Sequence, residues 1–188
     1  MRVVGGRLRG RKLLPIRGSA IRPTADRVRE AVFNIIAPEI RGAQVLDLFA
    51  GTGAMGIEAL SRGASSAIFI DTRKASLAVV RRNIDLLGLG NQSRVILWDA
   101  ARNLNCLRTG TPEIDLVFMD PPYHRDLATP ALAHLARCGA LMPGALIVVE
   151  HADSDPLPEQ TMPYVLTDLR RYGKTFVSLL IYDMNAES

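Results

Sequence analysis

The sequence is poor in the residues that build disulfide frameworks and metal centres: it has two cysteines and three histidines. Cys106 and Cys138 stand far apart and form no C-x-x-C pair, which argues against a disulfide framework or a thiolate site and leaves both as small buried hydrophobes. His124, His134 and His151 have no ligand-like spacing, so no metal is expected. Long hydrophobic runs are missing too, and none approaches the roughly 20 residues that a membrane span requires. The opening stretch MRVVGGRLRG lacks the apolar core of a secretory signal, so the chain is expected to be soluble and cytoplasmic. There is no internal repeat or low-complexity segment, and nothing demands more than a monomer.

What is present is enough apolar material for one substantial core: 188 residues, 48% of them hydrophobic. The charge is unevenly spread. Residues 1–29 hold nine basic side chains against the single acid Asp26, whereas residues 30–188 hold 14 basic and 18 acidic ones. A basic arm on a mildly acidic body suits a protein that grips a polyanion with one segment; a solubilising tail is the plainer account. The stretch RPTADRVREAVFNII favours the first, because a mere tail does not run into a well-formed helix. The expected organisation is therefore a basic N-terminal extension over residues 1–40 and a main domain over residues 41–188.

Within the extension, residues 3–6 and 11–14 suggest a short hairpin, and Thr24 is expected to cap a helix over 25–37 that ends at Pro38. Strands are then expected over 45–49, 67–70, 95–98, 114–119 and 145–149, alternating with helices over 54–62, 74–87 and 127–137. Such alternation implies an α/β fold with a mostly parallel sheet covered on both faces. Residues 165–170 and 175–182, joined through Tyr172-Gly173-Lys174, read as an antiparallel hairpin at the end, with Gly144 and nearby prolines punctuating the loops.

In an open α/β sheet the ligand lies beyond the carboxyl ends of the strands. That rule selects Asp47 to Gly53, Asp71, Asp99, and Asp120 to Tyr123, with an acid at each place. Gly51-x-Gly53-x-x-Gly56 has the spacing of a dinucleotide cradle, but any strand-to-helix turn that a ligand approaches closely needs such residues. Asp47 discriminates: its charge repels a pyrophosphate and attracts a sulfonium and an ammonium, so the turn suits S-adenosylmethionine. Asp71 is placed to accept ribose hydroxyls, and Asp99 to accept the adenine amino group or simply to cap the next segment.

The tetrad Asp120-Pro121-Pro122-Tyr123 points to methyl transfer onto an exocyclic amine. The Asp120 carboxylate and the Pro121 carbonyl accept the amino protons, pull the nitrogen toward sp³ and aim its lone pair at the sulfonium methyl. Tyr123 offers a face on which a base stacks.

These residues resemble a family. GGRLRGRKL, RPTADRVREAVFNII, DLFAGTGAMGIEALSRGA and DPPY, in this order, look like the bacterial 16S ribosomal RNA guanine-N2 methyltransferases, over about residues 2–182. The resemblance implies the Rossmann-like, seven-stranded class I methyltransferase sheet and S-adenosylmethionine as donor. It implies a guanine of 16S rRNA as acceptor, presented within an assembled or partly assembled small ribosomal subunit. It places the donor at Asp47, Phe49, Ala50, Gly51, Thr52, Gly53, Asp71, Thr72, Asp99 and Ala100, and the catalytic tetrad at Asp120, Pro121, Pro122 and Tyr123. Arg22, Thr24 and Arg27 are expected near the substrate mouth, and Arg7, Arg9, Arg11 and Lys12 on rRNA phosphates. The rival readings are a DNA adenine-N6 or cytosine-N4 methyltransferase, for which 188 residues leave little room for target recognition, a nicotinamide oxidoreductase, and a non-catalytic RNA-binding module.

Overall fold

A computed structural model describes residues 1–16, 23–108, 113–122, 126–154, 156–157 and 162–183. Seven strands form one sheet: β1 (Gln44–Leu48), β2 (Ser66–Asp71), β3 (Ser93–Leu97), β4 (Ile114–Met119), β5 (Leu141–Ala152), β6 (Tyr164–Tyr172) and β7 (Thr175–Tyr182). Four helices accompany them: α1 (Pro23–Ile35), α2 (Ala54–Ser61), α3 (Lys74–Leu87) and α4 (Ala128–Arg137). The strand order is β3-β2-β1-β4-β5-β7-β6. The first five strands are parallel, and β7 enters antiparallel between β5 and β6.

Alternation along the strands feeds two cores. Val45, Phe69, Phe118 and Val148 face one side, under Val32 and Phe33 of α1, Ile57 of α2 and Val80 of α3. Leu46, Ile70, Val117 and Val149 face the other, under Leu132 and Leu135 of α4. The Phe33 and Phe118 rings meet at 5.2 Å, which fixes α1 over β4. The chain leaves α1 for the amino end of β1, so α1 descends against the strands and its first turn lies toward their carboxyl ends.

Three local expectations change. Thr24 lies inside the first turn of α1 rather than at its cap, because Pro23, with φ already fixed, takes the first helical position. β5 is longer than 145–149: Leu141 pairs with Ile114, and pairing resumes at Leu146 and Leu116 across a bulge in which Gly144 adopts φ +84°. The N-terminal hairpin reduces to a single antiparallel bridge between Arg2 and Lys12.

The first 14 residues are nevertheless firmly held. Val3 and Leu13 are buried with α1, α2 and α3. Glu58 of α2, fully buried, accepts the Val4 N–H at 2.8 Å, pairs with Arg62 at 2.8 Å and lies 3.7 Å from Arg29 of α1. Arg29 also donates to the Arg2 carbonyl and lies 3.2 Å from Asp26. Among the nine basic residues of the arm, Arg29 is thus an internal pin rather than part of a basic face. Among the described residues no helix is long and apolar enough to cross a membrane.

Candidate active site at the carboxyl ends of the strands

The glycine turn after β1 is built to hold its shape. Phe49 adopts φ +60°, a conformation costly for a bulky L-residue, and Gly51 and Gly53 follow at +56° and +78°. The Gly53 N–H donates to the Ala50 carbonyl at 2.7 Å, and the Ala50 N–H to the Ile70 carbonyl at 3.0 Å. The Thr52 carbonyl accepts from Asn83 of α3 at 3.0 Å, and the same amide bonds both polar groups of Leu14, tying the arm to the loop. The three glycines differ in purpose. A Cβ on Gly56 would lie 2.4 Å from the Phe69 ring, so helix-on-sheet packing requires that glycine; one on Gly53 would lie a tight 3.2 Å from Val80, on a backbone already at positive φ. A Cβ on Gly51 would meet nothing closer than 3.8 Å, so only Gly51 combines positive φ with open space above the backbone.

Asp47 lies beneath this turn and is buried. Its Oδ2 accepts the Gly56 N–H at 2.9 Å, satisfying one of the orphan donors in the first turn of α2. Burial pushes the Asp47 carboxyl up to about 8; the Gly56 N–H opposes the shift and the charge of Asp71 adds to it. Asp71 closes β2, accepting the Gly51 N–H at 3.0 Å through Oδ2 and the Arg73 N–H at 2.8 Å through Oδ1. Thr72 beside it is exposed. Asp99 Oδ1 accepts the Ala101 N–H at 3.1 Å, and its other oxygen lies 3.5 Å from Arg102, so this carboxylate does cap a local turn. Ala100 is buried.

Register places the second half of the site. Leu48 pairs with Met119, and Met119 with Val149, so Asp120 stands one step above Leu48 on one neighbour and level with Glu150 on the other. Alternation puts Asp47, Asp71 and Glu150 on the α1–α3 face; β2 and β1 are neighbours about 4.8 Å apart, and β4 lies between β1 and β5. The Asp120 pKa is pushed well above the ordinary carboxylate range, first by desolvation, then by the charges of Glu150 and Asp47. Among the described residues Asp120 is nevertheless exposed to water. Pro121 is buried and Pro122 exposed. Tyr123 and Arg22 lie outside the described residues, as do His124 and Arg125.

The structure therefore brings Asp47, the glycine turn, Asp71 and Asp120 to one rim and sets Asp99 beside them, two strands from β1. Arg7, Arg9, Arg11 and Lys12 are all exposed. Arg7 donates to Gln92 at 3.2 Å and Arg11 to the Leu86 carbonyl at 3.5 Å, so the arm's tip lies at the C-terminal ends of α2 and α3, away from the rim. Thr24 lies in the rim-side turn of α1, and Arg27 is exposed just after it. Sequence reasoning missed Glu150, Asn83 and the Glu58–Arg29 pair. A signal existed for the first, since the apolar run LIVV also ends in an acid.

Comparison with known proteins agrees with this geometry. A family described as Conserved hypothetical protein 95 matches residues 1–181. Ribosomal RNA small subunit methyltransferase D of Escherichia coli K12 is 43% identical over 158 residues, spanning 84% of this chain and 78% of that protein. YlbH of Bacillus subtilis is 37% identical over 179 residues, 95% and 97% of the two chains. The solved structure of Escherichia coli yhhF superposes with a TM-score of 0.85 at 38% identity, covering 97% of this chain and 98% of that one. On the family match over nearly its whole length, borne out by these identities, the chain belongs to the Conserved hypothetical protein 95 family, that of the small-subunit ribosomal RNA methyltransferases.

Proposed function

We propose that this protein transfers a methyl group from S-adenosylmethionine to the exocyclic N2 of a guanine in 16S rRNA. Methylation of small-subunit rRNA is the activity for which its Escherichia coli and Haemophilus influenzae relatives are named. The observation that carries the finer reading is the shared rim: Asp120 and the Pro121 carbonyl close β4, directly beside the strand that carries Asp47 and the open Gly51 turn.

The residues fit the donor. S-adenosylmethionine supplies an electrophilic methyl on a sulfonium, together with an ammonium, and both cations suit a rim held by carboxylates. Asp47 acts on them through space, since its own oxygen is engaged by Gly56. Gly51 admits the donor against the backbone, with Phe49, Ala50, Thr52 and Gly53 shaping the turn. Asp71 and Thr72 stand where ribose hydroxyls are held, and Asp99 and Ala100 where an adenine is.

On the acceptor side Asp120 and the Pro121 carbonyl each take one amino proton, turning the nitrogen lone pair toward the methyl. Pro122 stiffens that presentation, and Tyr123 supplies the stacking face. Positioning does most of the work, because the leaving thioether is neutral and the product ammonium sheds its proton afterwards. Arg22, Thr24 and Arg27 border the mouth. Arg7, Arg9, Arg11 and Lys12 bind phosphates of the same RNA, which then follows the face of α3, 14 residues and about 20 Å long, from the rim to the arm's tip. Presentation within a small ribosomal subunit, to a monomeric enzyme in the cytoplasm, completes the reading.

The test is incubation with labelled S-adenosylmethionine and deproteinised rRNA, small subunits or DNA, followed by digestion and identification of the product nucleoside. N2-methylguanine from rRNA is expected; N6-methyladenine or N4-methylcytosine from DNA refutes the reading.

A further inference from the structure

Glu150 has no place in the site as the sequence presents it, yet it ends the apolar run of β5 level with Asp120 and half-buried on the same face. Two carboxylates on adjacent strands repel each other, and Asp47 lies one strand further along. Level with each other at the carboxyl end of the sheet, Asp120 and Glu150 present acceptors side by side to a ligand edge rich in hydrogen-bond donors.

The three amino-bearing bases differ in what stands beside the amine. Guanine presents N1–H next to the N2 amino group, an unbroken row of donors. Adenine and cytosine present a bare ring nitrogen beside theirs, an acceptor. Against a second carboxylate the first arrangement gains a charge-assisted hydrogen bond, and the second sets lone pair against lone pair.

We infer that Glu150 accepts the N1–H of the target guanine while Asp120 and the Pro121 carbonyl hold its N2 amino group, making Glu150 the residue that selects guanine over adenine and cytosine. This rests on the guanine-N2 reading above and adds to it a second reading head. The placement explains how one tetrad, suited in itself to any exocyclic amine, is restricted to one base: the neighbouring strand inspects the adjacent ring position. Glu150 plays no part in moving the methyl group. It acts on the substrate edge alone.

The experiment crosses protein variants with a base analogue. After the methylated guanine has been located by nucleoside mapping, 16S rRNA is assembled by splinted ligation with either guanine or 2-aminopurine at that position and reconstituted into small subunits. 2-Aminopurine keeps the 2-amino group and carries a bare N1. Wild type, Glu150→Gln and Glu150→Ala are each assayed on both. Wild type is expected to favour guanine by about 30-fold or more in kcat/KM. Glu150→Gln, whose amide can turn an N–H toward the bare nitrogen, is expected to shrink that preference at least about tenfold, and Glu150→Ala to shrink it with a lower rate on guanine. Each preference is a ratio within one preparation, so partial loss of folded protein cancels. An unchanged ratio in both variants, with N2-methylguanine still formed, overturns the inference and leaves the guanine-N2 reading standing. Absence of N2-methylguanine from the wild-type reaction overturns both.

Discussion

Replacing Asp47 by asparagine should make the protein more stable and a poorer binder of its donor, and the two effects share one cause. The carboxyl is buried, with a pKa of about 8, against about 3.9 in an unfolded chain. A carboxylate whose folded value is raised binds its proton more tightly in the native state. Its contribution therefore favours folding below pH 4, weakens as pH rises through the window from about 4 to about 8, and is flat above it. Inside that window each pH unit costs about tenfold in the folding equilibrium. Between pH 5 and pH 8 the loss is on the order of 3 kcal/mol. Asparagine keeps an oxygen for the Gly56 N–H and has no proton to lose.

The assay is urea unfolding of wild type and Asp47→Asn at pH 5 and pH 8. Carboxylates remote from Asp47 contribute equally to both proteins, so the informative quantity is the growth with pH of the stability difference between them, carried by Asp47 and the acids coupled to it. It should grow by about 3 kcal/mol in favour of the variant. Calorimetry at pH 8 should show S-adenosylmethionine bound more weakly by the variant, through loss of a negative charge near its cations, and the difference should shrink toward pH 5, where wild-type Asp47 holds its proton. A stability difference that stays constant from pH 5 to pH 8 would mean that Asp47 is ionised in the folded chain, held so by the α2 terminus, and would refute the account of its burial.

The remaining expectations are brief. Asp120→Ala should abolish turnover while leaving donor affinity near wild type; the raised pKa of Asp120 means that wild-type kcat/KM climbs with pH as this acceptor loses its proton, a limb absent from Asp120→Asn. The quadruple alanine variant of Arg7, Arg9, Arg11 and Lys12 should bind rRNA more weakly at every sequence and flatten the salt dependence, with an unchanged slope removing the arm from the interface. Gly56→Ala should destabilise by about 1–3 kcal/mol in thermal or urea unfolding, because its Cβ falls 2.4 Å from the Phe69 ring in a filled core. Glu58→Ala should cost on the order of 3 kcal/mol, since it removes the 2.8 Å partner of Arg62 and the acceptor of the Val4 N–H, while Arg29 keeps Asp26 and the Arg2 carbonyl.

How far these elements could be read from the residues depended on whether their determinants are local. The bounds of α3 and β4 emerge as expected because each is set by its own chain: Gly88 with φ +66° stops α3, and the apolar run after Ile114 ends at a proline pair. β5 overruns its expected ends because pairing with β4 and β7, a tertiary matter, holds Pro143 and Gly144 inside a bulge. The same division runs through the site. Acids following strands are visible as letters, and so are glycines at fixed spacing. That packing requires Gly56 and crowds Gly53, while Gly51 alone faces open space, depends on Phe69 and Val80, far along the chain, and so does the engagement of Asp47 by α2.

The distribution of charge that follows is itself an argument about how the molecule works. Asp71, Asp47, Asp120 and Glu150 occupy four consecutive strands on one face, and burial and mutual repulsion make the rim costly to maintain empty. Most of the basic residues fixed by the fold lie away from it, Arg29 and Arg62 on Glu58 and Arg7 and Arg11 at the far ends of the helices, while Arg73 stands 3.5 Å from Asp71 at one edge. Ligands would add to that compensation, as cations from the donor and hydrogen-bond donors from the base. Each also lowers the repulsion that the other meets, so the two should bind with positive coupling. Because the exposed tip of the arm, with Arg7 and Arg11, lies at the far ends of α2 and α3, an RNA backbone bound there would leave the field at the rim intact.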